Sequence, residues 1–371
     1  MRLTDIPTPA VLVESSKLTR NLSRMQAAVN ERGIRLRPHA KTHKSPHIAR
    51  LQIERGAVGI CCAKLGEAEV FADAGVMDIR LPYPLNPVNA DRVFALAERI
   101  TLSFIVDDPA VAQGWSDVAQ ARGRTLDVLV KVDVGFHRCG IDPDSPAAAG
   151  TVRAIASMPG LRFLGLLSHA GHGYHATTES EARGIAAEEA RILRDLAAAS
   201  DVPCREISVG ATPTARFSVE QQGLTEMRPG NYAYFDRTQV ALGAATWDDC
   251  ALTVLARVVS RPARDRVILD SGSKTLTNDG ARGFISTPGH GAILREISAP
   301  EPDTSLVVER LSEEHATVRV LDGDSSLATG SLVRIVPNHS CTVSNLVDMI
   351  WLLDGERVVD RLPVAARGRI T

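Results

Sequence analysis

The sequence predicts an α/β protein: a (β/α)8 barrel of the TIM type, with a smaller β-rich domain after it. Three observations carry this. Short β-rich runs alternate with amphipathic helical runs between residues 34 and 235, and eight such units can be counted. Repeated β–α units imply parallel strands with helical crossovers. After about residue 240 the helical periodicity fades and β-like runs joined by turns take over. An open doubly wound sheet is the structural rival, but eight units favour closure. The 371 residues accommodate a barrel of ~250 residues and a partner of ~100.

Taken in order, the expected barrel strands are 34–39, 58–63, 78–82, 101–106, 126–133, 162–168, 205–209 and 225–228. Amphipathic stretches at 45–55, 65–74, 87–98, 108–122, 146–158 and 179–199 lie between them. The barrel is assigned to 18–240. The second domain is assigned to 241–371, joined by an N-terminal strand around 9–14 within residues 1–17. Its β-like runs are 251–262, 266–273, 316–323, 331–338 and 348–355.

Composition narrows the function classes. The apolar fraction of 44% and charged fraction of 23% are those of a globular chain. A formal net charge of −2 offers no electrostatic footprint for nucleic acid or an acidic membrane. No apolar run approaches the ~20 residues of a membrane span. The first residues lack the apolar core of a signal peptide, so a cytoplasmic address is expected. The six cysteines are scattered and show no C-x-x-C pair, which argues against a disulfide framework.

In a barrel, chemistry sits where strands end at their C-terminal side. Three expected strand ends are rich in reactive side chains. The first runs Pro38-His39-Ala40-Lys41-Thr42-His43-Lys44, the fifth Asp133-Val134-Gly135-Phe136-His137-Arg138, and the sixth Ser168-His169-Ala170-Gly171-His172. A lysine is usually a solvated surface residue. Lys41, however, directly follows a strand with an inward-facing apolar pattern. Held among His39, His43 and Lys44, it should have a depressed pKa through like-charge repulsion, which makes its amine a nucleophile for Schiff-base formation. After the seventh strand, Gly210-Ala211-Thr212-Pro213 is expected to bind phosphate. Thr212 suits an N-cap and Pro213 the first helical position, with glycine allowing close backbone approach. An ordinary capped helix explains that segment as readily. His339-Ser340-Cys341 follows a β-like run, and in extended chain residues i and i+2 share a face. Imidazole and thiolate together suit zinc, although from spacing alone a buried cysteine beside a hydrogen-bonded histidine is the preferred reading.

Residues 36–48, from Leu36 through Lys41 to Ile48, resemble the Schiff-base segment of fold-type III pyridoxal-phosphate (PLP) enzymes of the D-threonine aldolase and D-serine dehydratase family. The likeness extends over almost the whole chain. It is carried by Gly59–Glu69, Asp133–Gly140, Ser208–Thr214, Glu226–Tyr232, Glu314-His315 and Pro337–Cys341. It implies a barrel holding PLP, a β domain holding a divalent metal, and a homodimer. It assigns Lys41 the Schiff base and Arg138 a contact to the cofactor ring. His169 and Tyr232 would line the pocket, and Gly210, Ala211 and Thr212 would cradle the phosphate. His339 and Cys341 would bind the metal: zinc first, with manganese or magnesium as the alternatives.

The resemblance also implies the reaction. Aldolases of the family often carry His-x-Asp at the metal site, whereas its dehydratases of D-serine or D-3-hydroxyaspartate carry His-x-Cys. Cys341 therefore points to a dehydratase of D-3-hydroxy-α-amino acids that yields a 2-oxo acid and ammonia. The alternative is an aldolase that cleaves the same substrates to glycine and an aldehyde, with His169, His172 or metal-bound water as base. A racemase would need a second base on the opposite face. A non-catalytic PLP-binding protein of the single-barrel kind would lack the ~130 residues that follow the barrel here.

Overall fold

Eight parallel strands with helices outside them form the first layer structure of the chain, described here from a computed structural model. The described residues are 1–280, 288–323 and 326–371. Strand β1 (Ala10–Glu14) leads into α1 (Ser15–Asn30). Then follow β2 (Arg35–Leu36), α2 (Pro46–Glu54), β3 (Ile60–Cys61), α3 (Leu65–Asp73), β4 (Asp78–Pro84), α4 (Ala90–Ala97), β5 (Thr101–Val106) and α5 (Pro109–Ala121). The barrel continues with β6 (Leu126–Lys131), α6 (Ala148–Ala156), β7 (Leu161–Leu167), α7 (Glu179–Ser200), β8 (Glu206–Val209), the four-residue α8 (Ala215–Ser218) and β9 (Glu226–Met227). The ladder runs β2-β9-β8-β7-β6-β5-β4-β3. It closes through a parallel bridge between His39 and Cys61 and the bonds Val58 N–H to Leu36 O and Cys61 N–H to Pro38 O.

Local chemistry explains these elements. β6, Leu-Asp-Val-Leu-Val-Lys, is buried at every position, as a parallel strand covered on both faces must be. Asp108 caps α5 by accepting from Ala110 and Val111 N–H, and Pro109 occupies its first turn, where a missing N–H costs nothing. Thr178 caps α7 in the same way through Glu181 N–H. Gly165 has φ +153°, and a Cβ there would lie 1.9 Å from the Glu206 carbonyl. Only glycine lets β7 approach β8 that closely.

The barrel floor is ionic. Glu226 is fully buried and accepts from Arg37 Nε at 2.8 Å, Arg80 Nη1 at 2.5 Å and Ser208 Oγ at 2.6 Å. Asp78 and Glu206 supply the second carboxylates for Arg37 and Arg80. Charges this deep persist only when paired.

The second layer is a nine-stranded sheet. It comprises β1 together with β10 (Leu252–Ala263), β11 (Arg266–Leu269), β12 (Ala292–Leu294), β13 (Leu306–Leu311), β14 (Ala316–Val320), β15 (Leu332–Val336), β16 (Met349–Asp354) and β17 (Arg357–Pro363). β1 sits inside it, antiparallel to β10 and parallel to β16. β11 pairs with both β14 and β10, which curls the sheet toward closure. Three short helices, α9 (Arg237–Ala241), α10 (Ser273–Leu276) and α11 (Ser340–Ser344), complete the set. Among the described residues no helix is long and apolar enough to cross a membrane.

Candidate active site

The first strand is shorter in the structure than its sequence pattern suggests. β2 pairs over only Arg35–Leu36: Arg37 and His39 N–H still reach Met227 and Pro229 O, but Pro229 has no N–H to return a bond to Arg37. The chain then turns through a 3-10 segment, Ala40–Thr42, which lifts Lys41 into a cavity of about 240 Å³ at the C-terminal mouth of the barrel. Lys41, Arg138, His169, Ala211, Thr212, His339 and Cys341 all line this cavity. Residues separated by three hundred positions thus meet in one space.

Two lysines and two arginines, Lys41, Lys131, Arg138 and Arg228, share its wall with His39, His169, His175 and His339, and among the described residues no Asp or Glu lines it. Burial lowers the Lys41 ammonium below its ordinary value, and the Arg138 charge adds to this against the opposing pull of Cys341. The expected cause is corrected here. His43 is buried and neutral, pushed down to about 4 by burial, and Lys44 is paired with Glu67 at 3.0 Å. Burial also lowers His169, with Lys41 and Lys131 adding to the effect. Its Nδ1 lies 2.7 Å from the Gly210 carbonyl. A carbonyl only accepts, so Nδ1 carries the hydrogen and Nε2 keeps a free lone pair. Arg138 lies over the Phe136 ring at 5.0 Å.

The phosphate segment also differs from its expected form. α8 begins at Ala215 with Thr214, not Thr212, in the cap position. Ala215 N–H bonds back to Thr212 O, so Thr212 lies in the preceding turn. Its hydroxyl is buried without a hydrogen-bond partner, an orphan a ligand oxygen would satisfy. At Gly210 a Cβ would meet Arg228 at 3.3 Å, so the bare backbone is what fits there. A buried orphan hydroxyl, a side-chain-free cradle and a desolvated lysine in a cationic cavity fit the phosphate and aldehyde of PLP.

Tyr232 is buried behind this wall. Its hydroxyl accepts from Gln52 Nε2 at 3.0 Å, and it lines a neighbouring cavity of about 200 Å³ that shares Thr212. His172 packs on Gly135, about 3.5 Å from where a Cβ would stand, and Tyr174 and His175 line the main cavity in its stead. Sequence reasoning missed Lys131 and Arg228. Both are inward-facing ends of barrel strands or the residues just after them, and a lysine closing the apolar run of β6 is the signal that could have found one.

His339 and Cys341 converge by a different route from the expected strand. β15 ends at Val336, and Cys341 lies in α11 with His339 at its N-cap. The turn is held because Asp236, itself bonded by Asn231, accepts from Ser340 N–H at 2.9 Å. Thr42 Oγ1 sits 3.2 Å from Cys341 Sγ, and the Ser344 hydroxyl donates to Thr42 O. The Lys41 turn and the His-Ser-Cys turn are therefore one unit. Burial would raise the Cys341 thiol, but His339 outweighs it and the thiol is lowered. Burial opposes charge on His339, but Cys341 and Asp279 raise it to about 11. A cysteine sulfur and a histidine ring in contact are soft-to-borderline donors of the kind zinc prefers once a metal displaces the proton they share.

The barrel and the residues gathered at its mouth fit a PLP enzyme of fold type III. Residues 13–238 match the family described as "Alanine racemase, N-terminal domain", and residues 251–353 match "Putative serine dehydratase domain". A D-threonine aldolase from Arthrobacter sp is 35% identical over 99% of this chain and 94% of its own length. A D-threo-3-hydroxyaspartate dehydratase from Delftia sp. (strain HT23) is 32% identical over 91% of this chain and 92% of its own. A solved cysteine-to-alanine variant of D-threo-3-hydroxyaspartate dehydratase, in its metal-free form, superposes with a TM-score of 0.90 at 29% identity, covering 98% of each chain. The chain belongs to this family of PLP lyases, which joins an alanine racemase-type barrel to a serine dehydratase domain.

Proposed function

We propose that this protein is a PLP- and divalent-metal-dependent lyase that dehydrates D-3-hydroxy-α-amino acids of the D-serine or D-3-hydroxyaspartate type. The observation that carries the reading is the meeting of Lys41 with His339 and Cys341 in one cavity. PLP supplies an electron sink at the substrate α-carbon, and a metal on His339 and Cys341 supplies a Lewis acid for the β-hydroxyl. The solved metal-free variant of the related dehydratase supports a metal in this family.

The chain's own residues do the rest. Thr212 Oγ1 and the backbone from Gly210 to Thr212 hold the phosphate. Arg138 and Arg228 neutralise anionic charge in a cavity that no carboxylate lines among the described residues. The Lys41 amine, whose ammonium form is disfavoured by burial, takes the α-proton. His169 Nε2 is free to accept or return a proton in the same space. Water leaves from Cα and Cβ, the enamine released hydrolyses, and the net products are a 2-oxo acid and ammonia. The homodimer belongs to the same proposal.

The 35% identity to a D-threonine aldolase favours one second reading. In it the same residues serve cleavage of the Cα–Cβ bond to glycine and an aldehyde. Incubation with D-serine, D-threonine and D-3-hydroxyaspartate separates the two. Ammonia and 2-oxo acid without glycine support the dehydratase. Glycine and aldehyde replace it with the aldolase, and neither product set refutes both.

A further inference from the structure

His339 is also held by a residue that does not line the main cavity. Its Nδ1 lies 2.7 Å from Asp279 Oδ2. The same oxygen is 3.1 Å from Thr342 Oγ1, one turn further along α11. The Asp279 backbone is fixed as well, since its carbonyl accepts from Asn338 Nδ2 at 2.9 Å, and Asn338 directly precedes His339. Asp279 is only partly exposed, at 34%.

A carboxylate accepts hydrogen bonds and does not donate them when ionised. Beside it, His339 carries a hydrogen on Nδ1, so the nitrogen left for a metal, on giving up the proton shared with Cys341, is Nε2. The ring is also prevented from turning. Among the described residues no third His, Cys, Asp or Glu joins the pair to form a metal-binding group.

We infer that Asp279 is a positioning residue that selects the Nδ1–H form of His339 and holds its Nε2 toward Cys341, so that the two-ligand metal site exists before the metal arrives. The inference rests on the metal reading of His339 and Cys341. A carboxylate behind a ligating histidine fixes the ring and raises its basicity, and its loss typically weakens metal binding by about 10- to 100-fold.

The test is zinc affinity, read by competition with a chromogenic chelator on the PLP-loaded protein. Asp279→Ala should weaken zinc by about 10- to 100-fold, and the isosteric Asp279→Asn by less, because an amide oxygen still accepts the Nδ1 hydrogen without the charge. Cobalt substitution gives a second reading: the thiolate-to-cobalt band should shift or broaden in Asp279→Ala and stay near wild type in Asp279→Asn. The visible absorbance of bound PLP should be the same in all three proteins, which separates lost positioning from lost folding. If Asp279→Ala does not fold, Asp279→Asn decides alone. Wild-type zinc affinity in the foldable variants overturns the inference and leaves the metal site standing. Wild-type protein that holds no zinc against the chelator overturns the metal reading, and the inference with it.

Discussion

Replacing Glu226 by Gln keeps the shape of a buried side chain and removes its charge. In the structure this carboxylate faces Arg37 and Arg80, which are 3% and 1% exposed. Burial alone would raise its pKa, but Arg80 and Arg37 outweigh burial and hold it at about 2 against an ordinary 4.5. That difference corresponds to ~3 kcal/mol in favour of the ionised form. Each arginine retains one other carboxylate, Asp78 for Arg37 and Glu206 for Arg80. The loss should therefore lie near the lower end of the ~3–5 kcal/mol seen when a buried pair is broken. Urea unfolding at pH 7 reads it directly. The pH dependence has a definite sign. The folded-state pKa is depressed, so the stabilisation is present above about 4.5 and is lost as pH falls toward about 2. The gap between wild type and Glu226→Gln should close across that window. A gap below ~1 kcal/mol at pH 7, or one unchanged at pH 3, would refute the account of the barrel floor. Ser208 links this charge to Arg228, which donates to its hydroxyl at 2.7 Å, so cofactor affinity should fall with stability.

Other outcomes follow from the same geometry. Cys341→Ala should lose metal and lyase turnover while keeping PLP absorbance, and Cys341→Asp should shift metal preference from zinc toward manganese; metal analysis with product assays reads both. Thr212→Ala should weaken PLP by ~1 kcal/mol in equilibrium dialysis, since under the proposed reading backbone N–H groups would hold much of the phosphate. His43 binds its proton only near pH 4 in the folded chain, against ~6.5 when unfolded. Wild-type stability should therefore fall by up to ~3 kcal/mol relative to His43→Gln as pH drops from about 6.5 to about 4, and parallel pH curves would show that His43 is not buried neutral.

How much of this was legible in the sequence depended on the range of the forces involved. All eight barrel strands fall where β-rich runs occur, because parallel strands buried on both faces leave continuous apolar signals. β12, β13 and β17 did not stand out. β12 has three residues, and β17, Arg-Val-Val-Asp-Arg-Leu-Pro, is largely solvent-facing. Lys41, Arg138, His169, Ala211, Thr212, His339 and Cys341 could be named from motifs at strand ends. Their electrostatics could not: Lys41 is tuned by burial and Arg138 rather than by His43 and Lys44. The Thr212 cap failed because a proline one residue on is compatible with a turn as well as with a helix start. The extended geometry of His339 and Cys341 failed because Asp236, 104 residues away from Ser340, draws the chain into a helix. Asp279 lies 60 residues from His339, and nothing local in the sequence joins them.

The central claim is that Lys41 carries PLP in this cavity. Lys131 is the structural rival, since it lines the same wall and burial, followed by the Arg228 charge, pushes its ammonium down to about 7. Borohydride reduction of the purified PLP-bound protein, followed by peptide mapping, decides between them. The account predicts a single pyridoxyl label on Lys41, in the peptide that runs from Pro38 toward Lys44. A label on Lys131, or on Lys44 or Lys64 with Lys41 unmodified, would contradict it.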